Sequence, residues 1–272
     1  MATISTDAIL LRAVDYGEAD RIVTLLGRTT GCVGAMARAA RKSQRRFGGG
    51  LGLCSRGEAV MRERGGAELL TLERFEVATS YPSLGSDVER MGHAAYAAEL
   101  VTKLCAPRQA EPGIFDLMIA FLDGLEARGA SDMRLRSFEL GLLERLGFAP
   151  ALEACAVCGR RDLSTGEVID VRFLPDEGGV VCRGCANRGR PMRSSVRLAL
   201  VALARADLGQ VENAGAGAAA LDELPVLPPD VARGCREALH ELIAGHLSAP
   251  LRSLDFLAKT ESARAMAARG AS

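Results

Sequence analysis

The chain has 272 residues with 34 basic and 34 acidic side chains, so bulk charge singles out no polyanionic or polycationic partner and any such site must come from local clustering. A hydrophobic content of 48% suits two or three packed modules, while aromatics reach only 4% and Trp is absent. No run approaches the roughly 18 apolar residues of a membrane-crossing helix, and Asp7, Arg12, Asp15, Glu18 and Asp20 exclude a signal-peptide core near the N-terminus, which points to a soluble intracellular protein with no membrane partner.

Residues 1–80 read as β. Ala8–Val14, Arg21–Leu26 and Gly31–Ala37 are short apolar runs between polar or Gly turns. Glu58–Arg64 and Glu68–Ala78 flank Gly65-Gly66 and predict a hairpin. Five short strands at hairpin spacing, with no helical stripe between them, predict a closed small barrel. The OB-fold is the common five-stranded solution and the SH3-like barrel its competitor.

A basic run lies inside this module. From Arg21 to Arg56 there are eight basic residues and no acid, and five of them are Arg38, Arg41, Lys42, Arg45 and Arg46. Such clustering is the electrostatic signature of phosphate-backbone binding. Gly48–Gly50 follows and allows close backbone approach, but no Gly-Lys-Ser/Thr completes a phosphate loop. The region has four aromatics, Tyr16, Phe47, Phe75 and Tyr81. That is few for a binder that stacks bases, so electrostatic, sequence-independent, salt-sensitive binding is expected.

The pattern turns helical near Tyr81-Pro82. Ser86-Asp87-Val88-Glu89 has capping-box spacing and opens a helix to about Cys105. Residues 113–128 form a second helix. Ser131-Asp132 caps a third, with Leu135, Phe138, Leu142 and Leu146 on one face, Gly147 at C′ and Pro150 beyond.

Cys155-Ala-Val-Cys158 and Cys182-Arg-Gly-Cys185 are two C-x2-C units separated by 23 residues. Each tight turn brings two thiolates to one side, so the pair predicts a closed four-thiolate shell for one structural zinc ion. Glycines at 159 and 184 suit turns whose N–H groups point at sulfur. Strands at Glu167–Leu174 and Gly179–Val181 are expected between the knuckles. Arg183, Arg188, Arg190, Arg193 and Arg197 run with no acid among them and are read either as a secondary polyanion surface or as a solvated rim. A helix follows Ser194-Ser195 to about 207. Asn213–Ala220 is low-complexity, Pro225, Pro228 and Pro229 extend the break, and a last helix spans about Asp230–Leu247 before a short segment at Leu254–Leu257.

The remaining cysteines, Cys32, Cys54, Cys105 and Cys235, read as small buried hydrophobes. His240 and His246 are six apart rather than four, and His93 stands alone. No catalytic set is found, and neither an enzyme nor a small-molecule substrate is expected. The architecture expected is α+β and multidomain. It comprises an OB-fold DNA-binding barrel (1–80), a helical domain in two parts (81–151 and 194–272), and an inserted four-cysteine zinc module (152–193). A zinc-ribbon and OB protein acting on RNA or transcription is the alternative reading.

The order of these parts resembles the bacterial RecO family of recombination mediators. The resemblance rests on Ile9–Leu26, the run Ala40–Gly49, Glu68–Glu76, Arg134–Gly147, the knuckles with Gly178–Cys182, and Ser253–Leu257. One departure is Leu51-Gly52-Leu53-Cys54, where similar sequences read Leu-x-Pro-Phe. The resemblance implies a non-enzymatic, cytoplasmic and nucleoid-associated role in recombinational repair. It implies binding of single- and double-stranded DNA, annealing of complementary strands, and contact with the C-terminal tail of single-stranded DNA-binding protein. It also implies loading of RecA with RecR and often RecF. By the same resemblance Arg41, Lys42, Arg45 and Arg46 are DNA contacts and the paired cysteines zinc ligands.

Overall fold

Burial that alternates along the chain builds five N-terminal strands. They are β1 (Thr3–Tyr16), β2 (Asp20–Gly27), β3 (Gly31–Ala37), β4 (Arg56–Arg62) and β5 (Leu70–Thr79). The computed structural model describes residues 2–43, 45–47, 51–63, 68–163, 171–206 and 226–257. The strands close a barrel in the order β1-β2-β3-β5-β4, with β3 and β5 parallel and the other pairs antiparallel. That is the Greek-key order of an OB-fold, as expected, rather than of an SH3-like barrel.

β1 is longer than its apolar centre suggests, because it serves two neighbours. Its first half pairs with β4, its second half with β2, and a register shift between Leu10 and Arg12 bends it. The expected hairpin is present as β4 and β5, and its Gly65-Gly66 turn lies outside the described residues. Since β5 sits between β3 and β4, the β3–β4 connection must cross an end of the barrel. Phe47 and Leu51 drop from it into the core formed by Leu10, Val23, Leu25, Met61, Leu72 and Phe75. Leu51-Gly52-Leu53-Cys54, the departure from the family pattern, keeps the barrel closed: the Cys54 N–H donates to Leu10 O (2.8 Å) and the Leu10 N–H to Ser55 O (2.9 Å).

Two compact units divide the chain, Met1–Ala130 with Leu251–Ser272, and Ser131–Pro250. The first adds α1 (Pro82–Ser86), α2 (Val88–Leu104) and α3 (Pro112–Arg128) to the barrel. The cap of α2 is Asp87, whose carboxylate accepts from the N–H groups of Glu89 and Arg90 at 2.9 and 3.1 Å. Ser86, the expected cap, ends α1 instead and donates its hydroxyl to Ser83 O. The carboxylate wins because it can take both orphan N–H groups.

The segment 251–257 returns to this unit. Glu99 on α2 accepts the N–H groups of Arg252 (3.1 Å) and Ser253 (2.8 Å) and the Ser253 hydroxyl (2.6 Å), which caps a helical turn over 252–257. Desolvation pushes the Glu99 carboxyl up, but the Ser253 and Arg252 donors and Lys103 outweigh it and hold it below the usual carboxylate range. A depressed folded value means the cap is intact above the ordinary Glu range and lost as pH falls through the folded value. Amide protection over 252–257 should therefore drop on acidification below about pH 4. Glu99→Gln should lower it at neutral pH by about 1 kcal/mol, the cost of a cap, and flatten its pH dependence. Unchanged exchange in the variant would show that Glu99 does not hold the segment.

The second unit packs α4 (Asp132–Arg145), α5 (Ser194–Arg205) and α6 (Pro229–His246) with a sheet of β6 (Val171–Leu174), β7 (Gly179–Cys182) and β8 (Arg190–Met192) in the order β7-β6-β8. α4 starts at the expected Ser131 cap and ends at Gly147, whose φ of +78° suits glycine. The expected one-sided stripe is too narrow a description. Leu140 and Leu143 are buried along with Leu135, Phe138 and Leu142, and Leu146 is half-buried. Burial extends to an Arg136–Glu139 ion pair at 3.0 Å and to Ser137, whose hydroxyl bridges Leu203 O and Ala206 O at the end of α5. The expected low-complexity segment Asn213–Ala220 lies outside the described residues.

A candidate nucleic-acid interface and a candidate metal centre

The basic run occupies the long crossing from β3 to β4. Three attachments hold its backbone. The Ala39 N–H donates to the Asp20 carboxylate (2.7 Å), the Arg41 N–H to Ala19 O (3.1 Å), and the Phe75 N–H to Arg46 O (2.9 Å). The first two tie it to the β1–β2 turn, one of the loops that OB-folds use for oligonucleotides. With the backbone pinned and Phe47 inside, the side chains of Arg38, Arg41, Lys42 and Arg45 point to solvent, and Arg46 is half-buried. Gln44 and Gly48–Gly50 lie outside the described residues.

Electrostatic context separates the eight basic residues of this segment. Arg21 pairs with Asp15 (2.8 Å), Arg28 with Asp116, and Arg56 with Asp7 (2.7 Å). Arg28 also lies over the Phe115 ring at 4.7 Å, and Arg56 at 6.0 Å. These three are structural. Among the described residues no carboxylate forms an ion pair with Arg38, Arg41, Lys42, Arg45 or Arg46. The Arg41 guanidinium donates to Glu18 O (3.3 Å), and that of Arg46 to Arg38 O (2.7 Å) and Ser43 Oγ (3.1 Å), all neutral acceptors. A positive cluster on an exposed, braced loop is thus left uncompensated. Of the four aromatics nearby, Phe47 and Phe75 are core, Tyr81 is buried and donates to Asp123 (2.9 Å), and Tyr16 is 56% exposed. Tyr16 pairs in register with Asp20, beside the loop. Sequence could not single it out, because nothing local distinguishes it from a core aromatic.

The second basic run behaves differently. Arg188 approaches Asp176 and Glu177 at 3.5 and 3.6 Å, Arg190 is paired with Glu237 and Glu241, and Arg193 with Asp230 at 3.0 Å. Arg197 is buried and donates to Leu152 O at 3.2 Å. Acids brought in from other elements thus offset Arg188, Arg190 and Arg193, while Arg183 is exposed with no ion pair among the described residues.

Cys155, Cys158, Cys182 and Cys185 converge, with all four sulfurs within 4.8 Å of one another. Among the described residues they are the one cluster of His, Cys, Asp or Glu that could hold a metal ion. Backbone ladders place them. Ala151 bridges to Gly179, the Val180 N–H donates to Ala151 O, and the Ala156 N–H to Val180 O (both 2.8 Å), so the first knuckle hangs on the edge of β7. The second knuckle is the turn after β7, closed by the Cys185 N–H to Cys182 O at 3.0 Å. The Cys182 N–H also donates to Cys155 Sγ at 3.3 Å. Desolvation raises the Cys155 thiol, but the N–H groups of Cys158, Cys182 and Val157 outweigh it and bring it down to about 6. The thiols of Cys158 and Cys182 push Cys185 up to about 12. Four thiols this close cannot all ionise unless a cation sits among them, and that donor set fits a metal. Burial confines Cys155 and Cys182 while Cys158 and Cys185 face solvent. Four sulfur donors leave no open position for catalysis.

The histidines do not assemble with these groups. Burial, then Arg136 and Arg236, pull His240 down to about 4, and His246 stacks on Phe148 with centroids 4.1 Å apart. No helix among the described residues is long and apolar enough to cross a membrane.

The family model described as recombination protein O N terminal matches residues 1–81, and that described as recombination protein O C terminal matches residues 85–255. Similar proteins include the DNA repair protein RecO of Anaeromyxobacter sp. strain K, 42% identical, with 94% of this chain and 96% of that protein covered. RecO of Geobacter sulfurreducens is 36% identical over 94% and 98% of the two chains, and RecO of Myxococcus xanthus 34% identical over 95% and 98%.

Proposed function

The chain belongs to the recombination protein O family of DNA repair proteins, and from that premise we propose that it binds single- and double-stranded DNA through Arg38, Arg41, Lys42, Arg45 and Arg46 and anneals complementary strands. The observation that carries this reading is that these five cations, alone among the basic residues of their segment, have no carboxylate partner among the described residues. Annealing requires two polyanions to approach. Fixed positive charge lowers their repulsion, and with Phe47 and Phe75 turned into the core most bases stay free to pair.

The cysteine cluster holds one zinc ion in a structural role. A tetrahedral thiolate shell at about 2.3 Å from zinc has sulfur–sulfur edges of about 3.8 Å, and Cys158 Sγ and Cys182 Sγ lie 3.8 Å apart. Bound zinc neutralises thiolates and cross-links the two knuckles. The residues themselves fix where those knuckles sit. The protein acts without catalysing a reaction, in the cytoplasm at the nucleoid. Its partners are RecR, often RecF, and the C-terminal tail of single-stranded DNA-binding protein, and it assists loading of RecA.

Annealing rate against salt tests this reading. For the wild type the rate should be high at low salt and fall as salt rises. Arg41→Ala/Lys42→Ala/Arg45→Ala/Arg46→Ala should lose most of the low-salt rate. Equal rates at low salt would remove the assigned role. Matched RNA strands supply the comparison, and annealing confined to DNA is expected.

A further inference from the structure

Four cysteines stand outside the metal cluster. Burial pushes the thiols of Cys54 and Cys235 up to about 12 and about 11, where they stay protonated and inert. Cys32 and Cys105 differ because they meet. Cys32 lies at the start of β3 and is buried, and Cys105 follows the last turn of α2 and is half-buried. Both reach the same acceptor. The Val101 carbonyl takes the Cys105 N–H at 3.0 Å and lies 4.0 Å from Cys32 Sγ.

The chain beyond α2 then runs along β3. Cys32 and Pro107 form a parallel bridge, and the Arg108 N–H donates to Cys32 O at 2.9 Å. A Cβ on Gly31, whose φ is +66°, would stand 1.9 Å from Gln109 O, so residues 105–109 lie flat against the strand as a strap. Cys105, with burial second, raises the Cys32 thiol, and Cys32 holds Cys105 below the ordinary thiol range against desolvation and Glu111.

We propose that Cys32 and Cys105 are a peroxide-responsive dithiol that closes to a disulfide and staples β3 to the strap after α2. The half-buried Cys105 is the attacking group and the buried Cys32 the resolving one. The Cys105 thiolate attacks hydrogen peroxide. The O–O bond breaks, hydroxide leaves, and the sulfur, oxidised by two electrons, becomes a sulfenic acid. The Cys32 sulfur then attacks it, an S–S bond forms, and the second oxygen departs as water once it takes up the Cys32 proton. Two thiols and one peroxide yield one disulfide and two waters. A small dithiol reverses the step by exchange.

The test uses the full-length, metal-loaded protein treated with a few equivalents of hydrogen peroxide, quenched with N-ethylmaleimide and digested without reductant. A linked peptide containing Cys32 and Cys105 is expected, abolished by dithiothreitol and absent from Cys32→Ser and Cys105→Ser. In Cys32→Ser, dimedone should label Cys105 several-fold more than in the wild type, because the sulfenic acid has lost its resolving thiol. The oxidised wild type should melt several degrees higher than the reduced form. Peroxide that oxidises the metal-cluster thiols while Cys32 and Cys105 stay alkylatable would overturn the proposal. So would Cys105 in Cys32→Ser that takes no dimedone.

Discussion

With zinc held as proposed, chelation, or replacing Cys155 with Ser, is expected to lower amide protection sharply across β6, β7 and β8 while the barrel strands keep theirs. The sheet holds strands of only four, four and three residues, too small to be stable alone. Its apolar interior is small, with Val171, Phe173, Leu174, Val180, Val181 and Met192 as the main buried side chains. What joins its ends is the sulfur cluster: Cys182 closes β7 in register with Val171, and Cys155 hangs on that strand through Ala151 and Ala156. Structural zinc supplies on the order of 10–16 kcal/mol in isolated peptides at neutral pH. Part of the order survives here, because Arg190 in β8 pairs with Glu237 and Glu241 on α6. Cys185→Ser, at an exposed position, should weaken the site less than Cys155→Ser, which also takes the sulfur acceptor from the Cys182 N–H in a buried position. Hydrogen exchange with and without chelator reads the result directly. Unaltered protection of residues 171–192 after metal removal would refute a structural role.

The Arg41→Ala/Lys42→Ala/Arg45→Ala/Arg46→Ala variant is expected to bind duplex DNA with a log–log salt slope shallower by up to ~3.6, and single strands by up to ~2.8, the counterion release of about four phosphate contacts. Near 50 mM salt that amounts to a loss of roughly 100-fold or more, shrinking as salt rises. The fold should survive, because the loop is pinned through backbone atoms of Ala39, Arg41 and Arg46 and through the Phe47 side chain, which the substitutions keep. The control is a substitution at Arg28 or Arg56. Each is engaged with Asp116 or Asp7, so its loss should lower stability and leave the slope nearly intact. Binding isotherms over a salt series measure both effects. A slope identical to wild type in the quadruple variant would move the DNA contact elsewhere on the molecule.

Several parts of this protein were legible without coordinates because their causes are local. Two cysteines spaced by two residues face one side of a turn whatever surrounds them, so the four ligand candidates could be named. The third helix could be bounded from Ser131 to Gly147, since capping and left-handed termination act within a turn. The five-strand barrel followed from repeated short runs and a Gly-Gly turn. The three-residue β8, carrying Pro191, has no such signal. It exists because its partner β6 offers a free edge on the side away from β7. The five-residue α1 likewise has no stripe of its own, and the cap of α2 is Asp87, one residue beyond the Ser86 that the capping-box spacing favours.

The sequence by itself determined which four cysteines cluster, the barrel and the density of positive charge between Arg38 and Arg46. Tertiary structure alone decided which cations meet a carboxylate among the described residues. Arg28 meets Asp116 across 88 residues and Arg190 meets Glu241 across 51, whereas the β3–β4 loop meets backbone carbonyls. It also decided that Phe47 is a plug rather than a stacking surface, that Tyr16 is exposed, and that Cys32 and Cys105 adjoin. The physical reason is range. Turn and cap preferences arise between neighbours along the chain, while Coulomb pairing and burial depend on distance in space, which is set only when the strands and helices have packed.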